Sequence, residues 1–289
     1  MPRPDEPTEP TDPIDPTEPT EPTEPAESTG PTATRPDGRY GWIPDGPDHR
    51  DWWAAPSVVR PAVGLPERVD LRADCPAVYD QGALGSCTAQ AVAGAYELDR
   101  KRQGLDRLTP STLFIYFEER VLEGTVDHDS GATLRDGMRT LDRIGTCAEP
   151  DWPYVVERFR ERPPARCYVD AARHRAVAYR RVPQETSAIR ACLAAGRPVV
   201  FGFSVFESFE SVAVERTGVV PMPGPDERRL GGHAVVAVGY DPDAFLVRNS
   251  WGSGWGDDGY CTMPVEYVTD PGLTADLWTL EAVTAPPAS

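Results

Sequence analysis

The sequence predicts an α+β fold of two lobes, helical in its first half and β-rich in its second, with a cleft between them. Three helical patterns follow one another between residues 87 and 144, whereas six runs rich in β-branched and aromatic residues occur between residues 177 and 283. Helices and strands that are segregated in this way are typical of α+β domains. A cleft between two lobes is a usual place for an active site.

An acidic, proline-rich tail precedes the predicted fold. Residues 1–30 carry nine acidic residues and one arginine, and proline recurs at every third residue from Pro4 to Pro25. A polyproline II helix has three residues per turn, so these prolines would line one edge of an extended rod. Because so polar a segment cannot bury enough apolar surface to fold, we predict a disordered tail over residues 1–39.

Residues 40–66 are rich in both aromatic residues and proline. Three tryptophans and one tyrosine make them too apolar to remain in solvent, and five prolines make them a poor helix or strand. We predict an extended strap, residues 40–66, that packs on a domain over residues 67–289. The alternative is that the strap lies in the cleft as an inhibitor. Within the domain we expect a helical lobe over about 67–175 and a β lobe over about 176–289.

Composition argues against several functional classes. No run approaches the roughly 18 apolar residues of a membrane span, and the N-terminus lacks the apolar core of a secretory signal. The net charge of −17 opposes binding to nucleic acid or to an anionic membrane. None of the six cysteines forms a CxxC pair, so no zinc or redox site is expected. We predict a cytoplasmic monomer that needs no metal, cofactor or disulfide.

The stretch Asp80–Gln90 contains the first candidate for chemistry. A loop with two glycines leads into a helical pattern that Gly104 ends, which places Cys87 in the first turn of the helix. The positive end of the helix dipole favours an anion there, so we expect a lowered pKa for the Cys87 thiol. The loop could bring the Gln81 amide near the sulfur as an oxyanion donor. Taken alone, Cys87 also fits a buried structural cysteine.

Two further helices are predicted before the β-rich half. Thr109 as N-cap and Pro110 at the first helical position start the second helix, and Gly124 ends it. The third helix is predicted over about 132–144, with Gly145 directly after its C-terminus. We therefore expect the first lobe to pack around the helix that carries Cys87.

His233 and Asn249 are the next candidates for chemistry. His233 follows two glycines and opens an apolar strand, and Asn249 stands sixteen residues later in a run rich in glycine and tryptophan. One hairpin would place the two side chains together, where Trp251 can cover their hydrogen bond. Cysteine, histidine and asparagine then supply a nucleophile, a base and a residue that orients the base. The alternative is a glycine-rich β-hairpin with a buried aromatic residue.

Together these motifs resemble those of papain-like cysteine peptidases. The resemblance covers about residues 66–283 and rests on Gln81-x5-Cys87, Gly232-His233-Ala234-Val235 and Asn249-Ser250-Trp251-Gly252. It implies a papain-like two-lobed fold with a β-barrel-like second lobe. By position, Cys87 resembles the nucleophile, His233 the base and Asn249 the orienting residue. Gln81, with the Cys87 backbone N–H, resembles the oxyanion hole. The chain is most similar to bacterial members with a short N-terminal strap.

The resemblance also indicates where a protein or peptide substrate binds. Its backbone is expected to pair with the turn at Ser130-Gly131. The pocket for the second substrate residue before the scissile bond would be roomy and apolar if Gly202, Gly231 and Ala234 line it. The residues that we expect to contact substrate are Ser130, Gly131, Gly85, Gly232 and Trp251.

Three positions depart from the family pattern. Leu84 stands where secreted members carry a disulfide cysteine, Thr88 where an aromatic residue follows the nucleophile, and Gly232 where Asp or Asn is common. None of these changes removes a catalytic group. No long helical inhibitory pro-segment is recognisable, which leaves open how activity is restrained.

The resemblance predicts a cysteine peptidase, with endopeptidase activity as the first expectation. One alternative is an acyl or peptidyl transferase, in which an amine replaces water at the thioester. The other is a peptide-binding module that keeps the fold without activity. The intact cysteine, histidine, asparagine and glutamine weigh against the module, because binding alone needs none of them. Nothing in the sequence separates water from an amine as acceptor.

Overall fold

The computed structural model describes residues 40–55 and 64–283, so the predicted tail and residues 56–63 of the strap lie outside the described residues. The helices in these ranges are α1 (Cys87–Arg102), α2 (Thr112–Glu123), α3 (Leu134–Arg143), α4 (Ala165–Ala171), α5 (Thr186–Ala194), α6 (Val212–Thr217) and α7 (Val265–Thr269). The strands are β1 (Trp42–Ile43), β2 (Val69–Asp70), β3 (Ala132–Thr133), β4 (Ala176–Arg181), β5 (Val199–Phe206), β6 (Arg229–Tyr240), β7 (Ala244–Arg248), β8 (Tyr260–Pro264) and β9 (Thr274–Val283).

Helix α1 begins at Cys87 and is buried along most of its length. Its many alanines let α2, α3 and the sheet pack against different sides of it, which is typical of a central helix. Helix α2 begins later than predicted, because Pro110 pairs with Ala148 in an isolated β-bridge. Its N-cap is therefore Ser111, whose hydroxyl accepts the Phe114 N–H at 3.1 Å, and the prediction of Thr109 was wrong.

Seven strands form one antiparallel sheet in the order β4-β9-β5-β6-β7-β8, with β2 paired to β6. This sheet does not close into the barrel-like lobe that the sequence led us to expect. Other segments cover its two edges instead: Trp53 of the strap pairs with β4, and the Val220 N–H donates to the Thr262 carbonyl of β8 at 3.0 Å. Covered edges need no closure to satisfy their backbone groups.

Each face of the sheet packs against its own apolar core. Successive residues of a strand point to opposite faces, so in β6 Ala234 and Val236 face α1 and its neighbours. Val235 and Ala237 face a second core that contains Phe203 and the α5 side chains. Within the described ranges, no helix combines the length and the apolar character that crossing a membrane requires.

Candidate active site

Cys87 lies at the N-terminus of α1 and is fully buried. Its sulfur accepts hydrogen bonds from the backbone N–H groups of Thr88, of Ala234 on β6 and of Gly41 in the strap. These donors lower the pKa of the thiol, but burial outweighs them and raises it to about 12. The lowered pKa that we expected is therefore wrong for this closed arrangement, because the strap removes the nucleophile from water.

His233 and Asn249 meet beside Cys87, because Ala234, the residue after His233, donates its N–H to the Cys87 sulfur. The antiparallel pairing of β6 with β7 brings their side chains together, and His233 Nε2 lies 2.8 Å from Asn249 Oδ1. The same Oδ1 accepts the Ser250 N–H at 2.8 Å, which identifies it as the amide oxygen. An amide oxygen only accepts, so Nε2 of the ring carries the hydrogen and Nδ1 is the basic nitrogen.

Aromatic side chains enclose the His–Asn pair, both members of which are buried. The Trp251 ring lies 5.0 Å from the His233 ring at an interplanar angle of 32°, so the two rings are partly stacked. Phe209 and Trp255 support Trp251 from 5.5 and 5.3 Å, and Phe203 packs edge-on against the imidazole at 5.8 Å. This cover excludes water, which strengthens the hydrogen bond between His233 and Asn249.

Gln81 is fully buried and is tied to the same segment as Asn249. Its Oε1 accepts from the Ser250 hydroxyl at 2.7 Å, and its Nε2 donates to the Leu84 carbonyl at 2.9 Å. The Gln81 backbone N–H also donates to the Ser250 carbonyl at 2.9 Å. Ser250 thus connects Gln81 to Asn249, a role that the sequence analysis missed although Ser250 stands inside the quoted Asn-Ser-Trp-Gly motif.

A buried carboxyl group contacts Thr88, the residue after Cys87 and one of the positions where the sequence departs from the family pattern. The Thr88 hydroxyl donates to Glu119 Oε2 of α2 at 2.8 Å. Glu119 is fully buried and approaches Gly137 of α3 so closely that a Cβ there would lie 2.5 Å from Oε1. Burial raises the pKa of Glu119 well above its ordinary value. Sequence reasoning missed Glu119, whose signal was a charge inside an apolar helix.

The strap occupies the cleft that the sequence assigns to substrate. Strand β1 runs parallel to β3, and the Gly41 carbonyl accepts the Ala132 N–H at 2.8 Å. A Cβ at Gly41 would lie 1.7 Å from the Gly85 carbonyl oxygen, and one at Gly131 would lie 2.1 Å from the Gly41 oxygen. Only residues without side chains allow backbones to approach so closely. The Ser130 hydroxyl lies beside this contact and donates to Thr125 Oγ1 at 2.8 Å.

Trp42 fills the predicted substrate pocket. A Cβ built on Gly202 would lie 2.0 Å from its indole ring, and one on Gly232 would lie 2.7 Å from its carbonyl oxygen. Tyr40 covers Gly231 in the same way. The indole Nε1–H donates to Asp276 Oδ2 at 3.2 Å, so the pocket ends at a buried carboxylate that the sequence analysis did not single out. Within the described ranges, no group of three or more His, Cys, Asp or Glu side chains could hold a metal ion.

Comparison with known proteins agrees with this architecture. A family model described as papain family cysteine protease matches residues 65–275. An uncharacterized peptidase C1-like protein of Acanthamoeba polyphaga mimivirus is 45% identical over 218 residues, which are 72% of this chain and 70% of that protein. Papain of Carica papaya is 29% identical over 209 residues, which cover 68% of this chain and 54% of papain.

Solved structures show the same fold. Xylellain, a cysteine protease from Xylella fastidiosa, superposes with a TM-score of 0.79 at 40% identity, over 86% of this chain and 97% of xylellain. The fold and the site define a two-lobed α+β cysteine peptidase, which confirms the predicted fold class and enzyme class. Because the family model covers most of the sequence, the chain belongs to the papain family of cysteine proteases.

Proposed function

We propose that this peptidase cleaves peptide bonds with Cys87 as nucleophile, His233 as base and Asn249 as the residue that orients the base. The observation that carries the proposal is the 2.8 Å contact between His233 Nε2 and Asn249 Oδ1. His233 stands on β6, and the next residue of that strand, Ala234, donates its backbone N–H to the Cys87 sulfur. With Nε2 protonated, Nδ1 takes the thiol proton, and a thiolate–imidazolium pair forms.

The thiolate then attacks the carbonyl carbon of the scissile bond. The developing oxyanion receives hydrogen bonds from the Cys87 N–H at the start of α1 and from Gln81 Nε2, whose orientation Ser250 supports. The tetrahedral intermediate collapses as the imidazolium gives its proton to the leaving amine, and an acyl thioester remains on Cys87. Water, deprotonated by His233, attacks the thioester and forms a second tetrahedral intermediate. Its breakdown releases the carboxylic acid product and, with the proton from His233, the free Cys87 thiol.

The test is cleavage of a mixed peptide library by the full chain, read by mass spectrometry beside a Cys87→Ala variant. We expect new peptide termini with the wild type and none with the variant. Added amine nucleophiles should leave the products hydrolytic. Amide-capped products would instead identify a transferase. If neither the wild type nor an unmodified variant with an accessible Cys87 cleaved any peptide, the proposed function would be wrong. Accessibility is shown by the reaction of a separate sample with iodoacetamide.

A further inference from the structure

The strap carries an aspartate, Asp51, that forms ion pairs with two arginines of the domain. Arg135 of α3 meets the Asp51 carboxylate with a fork, Nε to Oδ1 at 3.1 Å and Nη2 to Oδ2 at 2.8 Å. Arg181 of β4 approaches the same carboxylate with Nε at 2.7 Å. A helix next to the nucleophile helix and an edge strand of the sheet therefore hold one strap side chain together.

These three side chains are largely shielded from solvent. Asp51 retains 9% of its side-chain exposure, Arg135 8% and Arg181 16%. Burial alone would raise the pKa of Asp51, but the two arginines outweigh it and hold that pKa below its ordinary value. The carboxylate is therefore ionised and paired, and removing its charge would deprive Arg135 of its ion-pair partner and leave Arg181 only Asp45 and Asp276.

The same arginines bind further strap atoms nearer the cleft. Arg135 Nη2 donates to the Gly46 carbonyl at 2.6 Å, and Arg181 Nη2 donates to Asp45 Oδ2 at 2.9 Å. The Asp45 backbone N–H donates to Asp276 Oδ2 at 2.7 Å, and Asp276 also binds the Trp42 indole. A continuous set of contacts thus runs from the two arginines on Asp51 to the Trp42 indole, which fills the predicted substrate pocket.

A neighbouring strap charge provides the contrast. The Arg50 side chain is 70% exposed and pairs with Asp48 of the strap at 2.7 Å. Both partners belong to the strap, so this pair holds nothing to the domain, and Asp48 has its own contact with Arg139 of α3 at 2.9 Å. Exposed pairs of this kind contribute little to stability, whereas breaking a buried pair is costly.

We propose that Arg135 and Arg181 form an ionic latch on Asp51 that keeps the strap over Cys87, and that breaking the latch opens the cleft without any cut in the chain. Sixteen residues, from Tyr40 to Ala55, then act as one unit, with the cleft at one end and the latch near the other. The inference concerns the regulation of the proposed peptidase site, and its effect on catalysis rests on that function. The exposure of Cys87 does not depend on turnover.

The experiment compares Asp51→Asn with Arg50→Gln in the full chain. Each change removes one charge from neighbouring positions of the strap, and neither residue belongs to the catalytic machinery. Iodoacetamide alkylation at pH 7 is followed by peptide mapping of Cys87, so that the other five cysteines do not contribute. We expect Asp51→Asn to react on the order of a hundredfold faster than wild type, because a buried pair is broken. Arg50→Gln should stay within about threefold of wild type, because it breaks only an exposed pair within the strap.

Equal rates for the two variants and the wild type would overturn the latch. If Asp51→Asn lost its cooperative melting transition, Arg135→Lys would decide, since lysine keeps the charge but cannot form the two-pronged contact. That variant should show the same acceleration, and a wild-type rate would overturn the proposal. Peptide cleavage is measured in parallel. Rapid alkylation of Asp51→Asn without peptide cleavage would keep the latch and contradict the proposed function. Equal alkylation and equal peptide cleavage by wild type and Asp51→Asn would keep the proposed function and overturn the latch.

Discussion

At the scale of single residues, the site depends on a serine, Ser250, that takes no direct part in the proposed chemistry. The Ser250 N–H donates to Asn249 Oδ1, its hydroxyl donates to Gln81 Oε1, and its carbonyl accepts the Gln81 backbone N–H. The orienting residue and the proposed oxyanion donor are therefore set by the same segment. The sequence could identify Gln81, Cys87, His233 and Asn249 by residue type and spacing, but a serine hydroxyl has no pattern of its own.

Ser250→Ala should lower kcat/KM for peptide cleavage and leave the alkylation rate of Cys87 nearly unchanged. Without the hydroxyl, the Gln81 amide loses the contact that fixes its orientation, whereas the His233–Asn249 contact remains. Losing an oxyanion donor costs roughly 10²–10³ in turnover, so misorientation should cost less, on the order of tenfold. Ser253→Ala, in an exposed part of the same loop, is the matched control. A parallel fall in alkylation would show that Ser250 supports the base instead.

Glu119 should behave as a neutral acid, because burial raises its pKa well above the ordinary value. Glu119→Gln keeps the shape and the acceptor for Thr88 and should match the wild-type melting temperature below about pH 4.5, where Glu119 is protonated in both the folded and the unfolded chain. A raised pKa gives stability that is fully present below the ordinary value and is lost as the pH rises toward the folded-state value, so wild type should weaken relative to Glu119→Gln from about pH 4.5 upward. Glu119→Ala should cost on the order of 3 kcal/mol, because it creates a cavity and strands the Thr88 hydroxyl. Thermal unfolding against pH checks both.

At the scale of elements, periodicity located α1 to α3 and β4 to β9, because each pattern reflects which face of an element is buried. The short helices α4, α6 and α7 and the two-residue strands were not predicted, since they are too short to show a period. Local patterns could not give the position of the strap, since its contacts join residues far apart in the chain, such as Trp42 and Asp276. The sequence left two positions open, on the domain or in the cleft, and the structure favours the cleft. The sequence feature that indicates the cleft is spread over the glycines at 41, 85, 131, 202 and 232. Each of these glycines, taken alone, is typical of an ordinary turn.

Gly41→Ala should release the strap from the cleft. The added Cβ would lie 1.7 Å from the Gly85 carbonyl oxygen, a distance that backbone atoms cannot accommodate. We expect Cys87 to react with iodoacetamide at least about tenfold faster than in wild type, since local opening no longer limits access. Gly46→Ala is the control, because nothing lies within 4 Å of its added Cβ. Identical rates for the two variants would mean that the strap does not shield the nucleophile.

At the scale of the whole molecule, the strap couples the cleft, α3 and the edge of the sheet through ionisable groups. Asp51 has a lowered pKa, so its contribution to docking is present above its ordinary value of 3.8 and is lost as the pH falls. Burial raises the pKa of Asp45 to about 7, with the nearby Asp276 as the second cause. Its contribution is fully present below the ordinary value of 3.8 and is lost progressively as the pH rises to about 7. The strap should therefore dock most tightly at about pH 4 and more weakly as the pH rises toward 7.

The weakening of docking above pH 4 can be isolated with Asp45→Asn, which cannot ionise. Thiol ionisation affects wild type and variant alike, so the ratio of their Cys87 alkylation rates reports the opening that Asp45 adds. A closed-state pKa of about 7 and an open-state pKa near 3.8 predict that this ratio rises about tenfold from pH 6 to pH 8. The ratio should also rise about tenfold between pH 5 and pH 6, because Asp45 is neutral in the closed form but ionises on opening, and it should level off above about pH 8. A ratio that stayed flat to pH 8 would show that Arg181 keeps Asp45 ionised throughout, and docking would then lose strength only on the acidic side, where Asp51 takes up its proton.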